Sequence, residues 1–322
     1  MRKLGCLVFV IVLLGAAALF GVAQLWGGEG PLQKNTTVLV DEGSTLTGAA
    51  DKLEEAGAIR SASRFVLLSK LFGGSEPIRA GEYRIPAHLS QSDILKMMQG
   101  GRTLQRFVTI PEGLPSVLVR ERLMAAPGLE GELDVPIEGT VLPDSYSYQR
   151  TNTRREILER MQRAMVQYLN AAWAKRAPNT VAKTPREALI LASIIEKETA
   201  KPSERRTIAA VYSNRLREGM KLQADPTVIY PITKGKPLGR RILRSELEAQ
   251  NGYNTYAMTG LPIGPICNPG RASIDAALHP GDSDALYFVA DGTGGHIFAK
   301  TLAEHQENVR KWYAIRRQRG EM

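Results

Sequence analysis

A glutamate at the end of an apolar stretch is the strongest candidate for chemistry in this sequence. Thr184, Pro185 and Glu187 provide an N-cap, a first-turn proline and a capping-box partner for a helix. The following residues, 188–195, make that helix apolar all round, so it should be buried on every side. Glu196 would then end the helix at the edge of the core. Burial and the negative end of the helix dipole favour its neutral form, which a general acid requires.

The second glutamate, Glu198, lies about 200° farther round the same helix. We therefore expect only one of the two to share a cleft with substrate, and we predict that Glu196 is the catalytic one. The alternative is structural, because Glu196 could form an ion pair at the helix end with Lys197 or Lys201.

Three segments after this helix carry side chains suited to sugar binding. Aromatic faces pack against the C–H groups of a pyranose, and amides and carboxylates form hydrogen bonds with its hydroxyls. The predicted substrate-binding residues lie in a helix and two loops: Asn214, Gln223, Asp225, Thr227, Tyr253, Asn254 and Thr255. Ordinary turn chemistry is the alternative for each loop, because Asp-Pro and Asn-Gly are common turn dipeptides.

Composition excludes several classes of protein and site. With 43% hydrophobic and 23% charged residues, the chain of 322 residues can bury a core, and it has room for two folded units. The two cysteines, Cys6 and Cys267, are too few for a disulfide framework or an iron–sulfur cluster. The four histidines lack metal-binding spacing and are expected to be structural or surface residues: His88, His279, His296 and His305. No metal or cofactor is predicted.

The net charge of +9 is spread along the chain, with one concentration in the last thirteen residues. That concentration is expected to be a solvated helix end, and an anionic partner is the alternative. Nucleic acid is the weakest such partner, because basic residues are not interleaved with aromatic ones.

The N-terminal segment predicts a membrane anchor. Residues 4–26 carry no charge, and a helix of that length spans a hydrocarbon core of about 30 Å. Arg2 and Lys3 precede this segment and Glu29 is the first charge after it, so residues 1–3 should be cytoplasmic and the rest outside. A cleaved signal peptide is the alternative, but its apolar region is usually only about 7–15 residues long.

Two folded units are predicted after the anchor. Residues 27–36 form a glycine-rich tether, 37–101 a small subdomain and 102–322 a mixed α+β domain. The subdomain has a strand–helix–helix–strand pattern, in which Ser44 should cap the first helix. This βααβ order resembles the LysM modules that bind N-acetylglucosamine polymers. The predicted fold class is therefore α+β with one N-terminal transmembrane helix.

Local signals also predict elements of the larger domain. A strand is expected over 106–110, and the stretch 138–144 is expected to be a loop. Capping boxes that begin at Thr153 and Thr301 predict amphipathic helices, and residues 286–298 predict a hairpin.

Several motifs taken together resemble a known family. They are LASIIEKET (191–199), VYSNRL (211–216), LQADPTVIY (222–230), YNTY (253–256), GLPIGPI (260–266) and YFVA (287–290). In this combination the chain resembles the endolytic murein (peptidoglycan) transglycosylases, the MltG or YceG-like family, over most of its length. Ala224, Ile263 and Thr140 depart from the usual residues, which affects only detailed statements about subsite contacts.

The resemblance implies a bacterial inner-membrane enzyme with a periplasmic catalytic domain. It would cut nascent glycan strands internally at the MurNAc–GlcNAc β-1,4 bond, leave 1,6-anhydro-MurNAc ends and so terminate strand elongation. In that family the first glutamate of the EKE run is catalytic, and Glu196 occupies this position. The implied partners are peptidoglycan strands, the inner membrane and peptidoglycan synthases (penicillin-binding proteins).

Two other functions stay open at this point. A non-catalytic, membrane-anchored scaffold would bind glycan through the LysM-like subdomain and an inactive cleft. A hydrolytic muramidase would use Asp225 or Glu204 as a second carboxylate, because glycoside hydrolysis generally needs two carboxyl groups. Lytic cleavage can proceed with one.

Overall fold

The computed structural model describes residues 2–321 of the chain, and their side chains from residue 9 onward. The two terminal residues and the side chains of residues 2–8 lie outside that description. The side chains of the predicted cytoplasmic segment 1–3 and of Cys6 are therefore not described.

The chain folds as two compact units, one containing Met1–Arg106 and Ser147–Asn152, the other Phe107–Tyr146 and Thr153–Met322. The first unit contains α1 (Arg2–Gly27), β1 (Thr36–Val40), α2 (Leu46–Glu55), α3 (Ala62–Phe72), β2 (Gly81–Ile85) and α4 (Gln91–Gln99). The remaining elements are β3 (Arg106–Thr109), α5 (Ser116–Ala125), β4 (Ser145–Tyr148), α6 (Arg154–Ala174), α7 (Pro185–Glu198), α8 (Arg205–Arg217), α9 (Asp225–Thr233), α10 (Arg244–Glu248), α11 (Arg271–Leu278), β5 (Tyr287–Ala290), β6 (His296–Ala299) and α12 (Leu302–Gln318).

The predicted strand–helix–helix–strand order is present in the first unit. β1 and β2 pair antiparallel, with Val38 opposite Tyr83, and helices α2 to α4 bury their apolar faces in the same core. Thr45 caps α2 by accepting the Gly48 N–H at 3.2 Å, so the predicted cap at Ser44 is wrong by one residue. Ser44 instead closes the turn after β1, because its N–H donates to the Asp41 carbonyl at 3.1 Å. That this unit is a LysM module stays a prediction.

Helix α1 contains, within the described residues, a span long and apolar enough to cross a membrane, Phe9–Gly27. Its large apolar side chains are exposed, which fits a single-pass anchor. At its end, the Trp26 ring packs against Phe65 of α3 with 6.1 Å between ring centroids. The Gln91 side chain of α4 donates a hydrogen bond to the Leu25 carbonyl. The end of α1 is therefore attached to the small helices of its own unit.

Helix α7 is the centre of the second unit. Thr184 caps it by accepting the Glu187 N–H at 3.1 Å, and Pro185 occupies its first turn, as predicted. Residues 188–195 are all buried, and α7 contacts α6, α8, α9 and α11. This confirms the prediction of a helix without a solvent-exposed face.

The other elements of the second unit were predicted in part. The capping boxes at Thr153 and Thr301 and the antiparallel hairpin of β5 and β6 are confirmed. Helices α5, α9, α10 and α11 were not predicted. The predicted loop 222–227 becomes helical at Asp225, because Pro226 suits the first turn of a helix, where its missing N–H would have no partner.

Candidate functional site

The last turn of α7 directs Glu196 and Glu198 to different surroundings, as their spacing predicts. The Glu196 side chain is only 6% exposed. Its carboxylate accepts the Gly270 N–H at 2.9 Å and lies 3.8 Å from the Arg205 guanidinium. The ion-pair partner of Glu196 is therefore Arg205, and not Lys197 or Lys201, which the sequence left open.

Arg205 joins Glu196 to a second glutamate. Its guanidinium also lies 3.7 Å from the Glu112 carboxylate, and that carboxylate fills the space that a Cβ atom at Gly270 would need. Arg205 begins α8 and Gly270 caps α11, so this ion cluster connects the ends of three helices. The contacts of Glu196 are those of a residue that holds α7, α8 and α11 in place.

Glu198 instead faces a cavity of about 310 Å³. The residues that line this Glu198 cavity are Glu198, Tyr212, Arg215, Leu222, Gln223, Asp225, Tyr256, Phe288 and His305. The Oε1 atom of Glu198 is buried and has no hydrogen-bond partner among the described residues. Buried polar atoms are nearly always paired, so an exception beside a polar cavity indicates a functional site.

Burial raises the pKa of Glu198 from 4.5 to about 7. A hydrogen bond from the Tyr212 hydroxyl lowers this pKa, the negative charge of Asp225 raises it, and the positive charge of Arg215 lowers it. Desolvation is the largest of these effects. A carboxyl group with a pKa near 7 still holds its proton in about half of the molecules at neutral pH, which suits a general acid.

Arg215 fixes one wall of the Glu198 cavity. It is buried, and its guanidinium donates to the carbonyls of Leu286 at 2.6 Å and Leu222 at 2.9 Å. The same group lies 3.4 Å from the side-chain oxygen of Gln223. Arg215 therefore links the segment before α9 to the residue before β5.

Two of the seven predicted substrate-binding residues line this cavity, Gln223 and Asp225. Asp225 begins α9 and accepts a hydrogen bond from the Tyr256 hydroxyl at 2.7 Å. The cavity thus brings two predicted binding residues together with Glu198, whereas Glu196 contacts Arg205 and Gly270 instead.

Three other predicted binding residues are fully buried: Thr227, Asn254 and Thr255. The Thr255 hydroxyl accepts the Ala224 N–H at 3.0 Å and shares a hydrogen bond with the Thr227 hydroxyl at 2.8 Å. Asn254 donates to the Ala249 carbonyl at 2.8 Å, after the end of α10. Their polar atoms are used within the protein. These hydrogen bonds connect the two loops, and contact of the three residues with substrate stays a prediction.

Asn214 and Tyr253 also lie outside the Glu198 cavity. Asn214 donates to the carbonyls of Ser283 and Ala285 at 2.8 and 3.0 Å. The Tyr253 ring packs against Tyr230, with 4.9 Å between ring centroids. Both residues therefore support the loops around the cavity.

Sequence analysis missed Tyr212, Tyr256 and His305 as site residues. The helical pattern placed Tyr212 in the core, and nothing near His305 in the chain indicates chemistry. These residues reach the cavity only because α8, α12 and the loop before α11 converge there. Local sequence patterns do not show that these segments lie together in the fold.

Replacing Thr255 tests its supporting role. Thr255→Val removes the hydroxyl that pairs with Thr227 and Ala224, which leaves buried polar groups unsatisfied at a cost of about 1–3 kcal/mol. We expect a lower Tm than that of the wild type, measured by thermal unfolding. Thr255→Ser keeps the hydroxyl and should behave like the wild type. A Thr255→Val variant with an unchanged Tm would contradict the supporting role of Thr255.

Comparisons with known proteins identify the family. The model of the YceG-like family matches residues 38–311. An endolytic murein transglycosylase of Bacillus subtilis (strain 168) is 29% identical over 341 residues, covering 96% of this chain and 93% of the relative. A relative of the same name from Streptococcus pneumoniae (strain D39) is 29% identical over 352 residues, covering 93% of this chain and 63% of that protein. The crystal structure of a YceG-like protein from Listeria monocytogenes matches with a TM-score of 0.52 and 29% identity, over 85% of this chain and 99% of that one.

The family match begins in β1, ends within α12 and includes every residue that lines the Glu198 cavity. The full-length relative and the solved structure agree with it at the same level of identity. On these grounds the chain belongs to the YceG-like family.

Proposed function

We propose that this protein is a lytic transglycosylase that cuts peptidoglycan strands internally, with Glu198 as its general acid. The observation that carries the proposal is the Glu198 carboxyl, whose pKa is raised to about 7 and which faces a polar cavity. The names of the relatives, endolytic murein transglycosylases, support peptidoglycan as the substrate.

The proposed reaction needs one carboxyl group. Protonated Glu198 donates its proton to the glycosidic oxygen of the MurNAc–GlcNAc β-1,4 bond, and that bond breaks. The resulting carboxylate accepts the proton of the MurNAc 6-hydroxyl, and the 6-oxygen forms a bond to the anomeric carbon. The products are a free GlcNAc hydroxyl and a 1,6-anhydro-MurNAc end, and no water is consumed. The acid regains its proton in the second step.

Glu196, which the family resemblance implied, is the competing candidate for the acid. Its carboxylate contacts Arg205 and the Gly270 N–H, and these contacts connect the ends of α7, α8 and α11. We therefore assign proton donation to Glu198 and a supporting role to Glu196.

We further propose that α1 anchors the enzyme in the bacterial inner membrane, with a cytoplasmic N-terminus and a periplasmic catalytic unit. The apolar span Phe9–Gly27 supports an anchor. Cleavage of nascent strands beside that membrane would terminate their elongation. Peptidoglycan synthases are the expected partners, because they release such strands there.

A hydrolytic muramidase is the second candidate, because a second carboxylate lines the same cavity. Asp225 could activate a water molecule, since glycosidases generally pair an acid with a base or nucleophile. Glu204, the other residue considered from the sequence, does not line this cavity. It is paired with His296 at 2.7 Å.

The mass of the products tests the proposed function. Incubating the full-length protein with nascent glycan strands should release fragments whose MurNAc ends are anhydro, and therefore lighter by one water than reducing ends. Mass spectrometry distinguishes the two. Fragments with reducing ends would favour the muramidase, and the absence of any fragment would favour a binding scaffold.

A further inference from the structure

Two buried polar atoms that have no hydrogen-bond partner among the described residues line the same cavity. They are Oε1 of Glu198 and Nδ1 of His305. Leaving a buried polar atom unpaired costs about 1–3 kcal/mol, so two of them around one cavity are not expected by chance. The mechanism above uses Glu198 and leaves His305 without a role.

The neighbours of His305 fix its position. The Thr301–Glu304 capping box starts α12, and the His305 N–H donates to the Thr301 carbonyl at 3.1 Å. The imidazole ring stacks on Tyr287 of β5, with 5.2 Å between ring centroids and an interplanar angle of 22°. The ring is therefore held in one orientation by two elements of the second unit.

The surroundings keep this ring neutral. Burial lowers the pKa of His305, and so does the positive charge of Arg215 on α8. The other titratable groups that line the cavity with it are Glu198, Tyr212, Asp225 and Tyr256, and Tyr287 stacks on its ring. A neutral imidazole offers one donor and one acceptor, which suits an uncharged hydroxyl or acetamido group better than an anion.

Two other polar side chains of the cavity form hydrogen bonds within the protein. The Asp225 carboxylate pairs with the Tyr256 hydroxyl, and Arg215 donates to backbone carbonyls. Among the atoms that line this cavity, Oε1 of Glu198 and Nδ1 of His305 are the buried side-chain atoms without a hydrogen-bond partner in the described part of the chain.

We propose that His305 is a substrate-binding residue of the Glu198 cavity, which forms a hydrogen bond with a neutral hydroxyl or acetamido group of the amino sugar beside the bond that is cut. The inference rests on the proposed function, because it takes glycan as the ligand.

Binding to an inactive protein tests His305 separately from catalysis. The probe is peptide-free strands of alternating GlcNAc and MurNAc, and their Kd is measured for full-length Glu198→Gln with and without His305→Leu. One neutral hydrogen bond predicts binding about three- to tenfold weaker in the double variant. His305→Asn keeps a polar atom near Nδ1 and should restore most of the affinity. His88→Asn, at a histidine that is 48% exposed in the other unit, is the matched control.

The pH dependence distinguishes substrate binding from a packing role. In Glu198→Gln, binding should weaken from pH 7 to pH 5, because a protonated His305 loses its acceptor atom and faces Arg215. The decrease should be smaller in Glu198→Gln/His305→Asn. The inference would be overturned if Glu198→Gln and Glu198→Gln/His305→Leu bound the strands with equal affinity. It would also be overturned if binding by Glu198→Gln and by Glu198→Gln/His305→Asn had the same pH dependence. Failure of the proposed function would appear separately, as the absence of anhydro products from the wild type.

Discussion

Glu198→Gln is expected to slow strand cleavage by about 10²–10⁴-fold, the usual contribution of a general acid. Glutamine fills the same space and still accepts the Tyr212 hydrogen bond, but it has no proton to give to the glycosidic oxygen. Glu196→Gln should keep activity of the wild-type order, because the amide still accepts the Gly270 N–H and loses only the attraction of Arg205. The measurement is fragment release from nascent strands by the full-length variants.

The two glutamine variants are matched controls for each other. They make the same chemical change two residues apart on one helix, so a general effect on α7 would appear in both. Thermal unfolding shows whether each variant folds, and Glu196→Gln should have the lower Tm because it weakens the ion cluster with Arg205. A folded but inactive Glu196→Gln beside an active Glu198→Gln would make Glu196 the catalytic residue.

Glu198→Gln is also expected to stabilise the protein at high pH. The folded state raises the pKa of Glu198 from 4.5 to about 7, so it retains a proton that the unfolded chain has released. The group therefore lowers stability progressively as pH rises from 4.5 to 7, and above pH 7 the full penalty of about 3 kcal/mol is present. Glutamine removes this penalty, so the gain in the free energy of unfolding should be larger at pH 8 than at pH 5.

Urea unfolding of the full chain in detergent at these two pH values measures the effect. Glu248→Gln is the control, since that carboxylate forms an exposed pair with Arg244 and its replacement should produce no comparable gain at pH 8. A Glu198→Gln variant whose stability relative to wild type is the same at both pH values would mean that the folded state does not hold this proton.

Local signals were enough to predict α7, the helix that carries both glutamates. The cap at Thr184 and the apolar run to Ile195 predict α7 because both depend on neighbours within a few residues. The spacing of Glu196 and Glu198 correctly predicts that they face different surroundings. Which of them meets a cavity depends on α8, α9 and α12, and no local pattern contains that information.

The predicted substrate-binding loops also show that local patterns do not determine which side chains line a cavity. Amide and hydroxyl side chains bind sugars, but they also pair with backbone groups when a loop is buried, and Asn254 and Thr255 do the latter. Asp225 is a polar residue of the same predicted loops, but it is the first residue of α9 and lines the cavity. Whether such a side chain lines the cavity or pairs with backbone groups depends on its burial. Sequence patterns do not determine the burial of loop residues.

The titration of Glu198 tests the central claim most directly. Full-length protein labelled with ¹³C at the glutamate side-chain carboxyls would be titrated by NMR, and the signal absent from Glu198→Gln assigns the residue. The account predicts a midpoint at about pH 7. A midpoint near the ordinary value of 4.5 would contradict it, because the carboxyl could not then supply a proton at neutral pH.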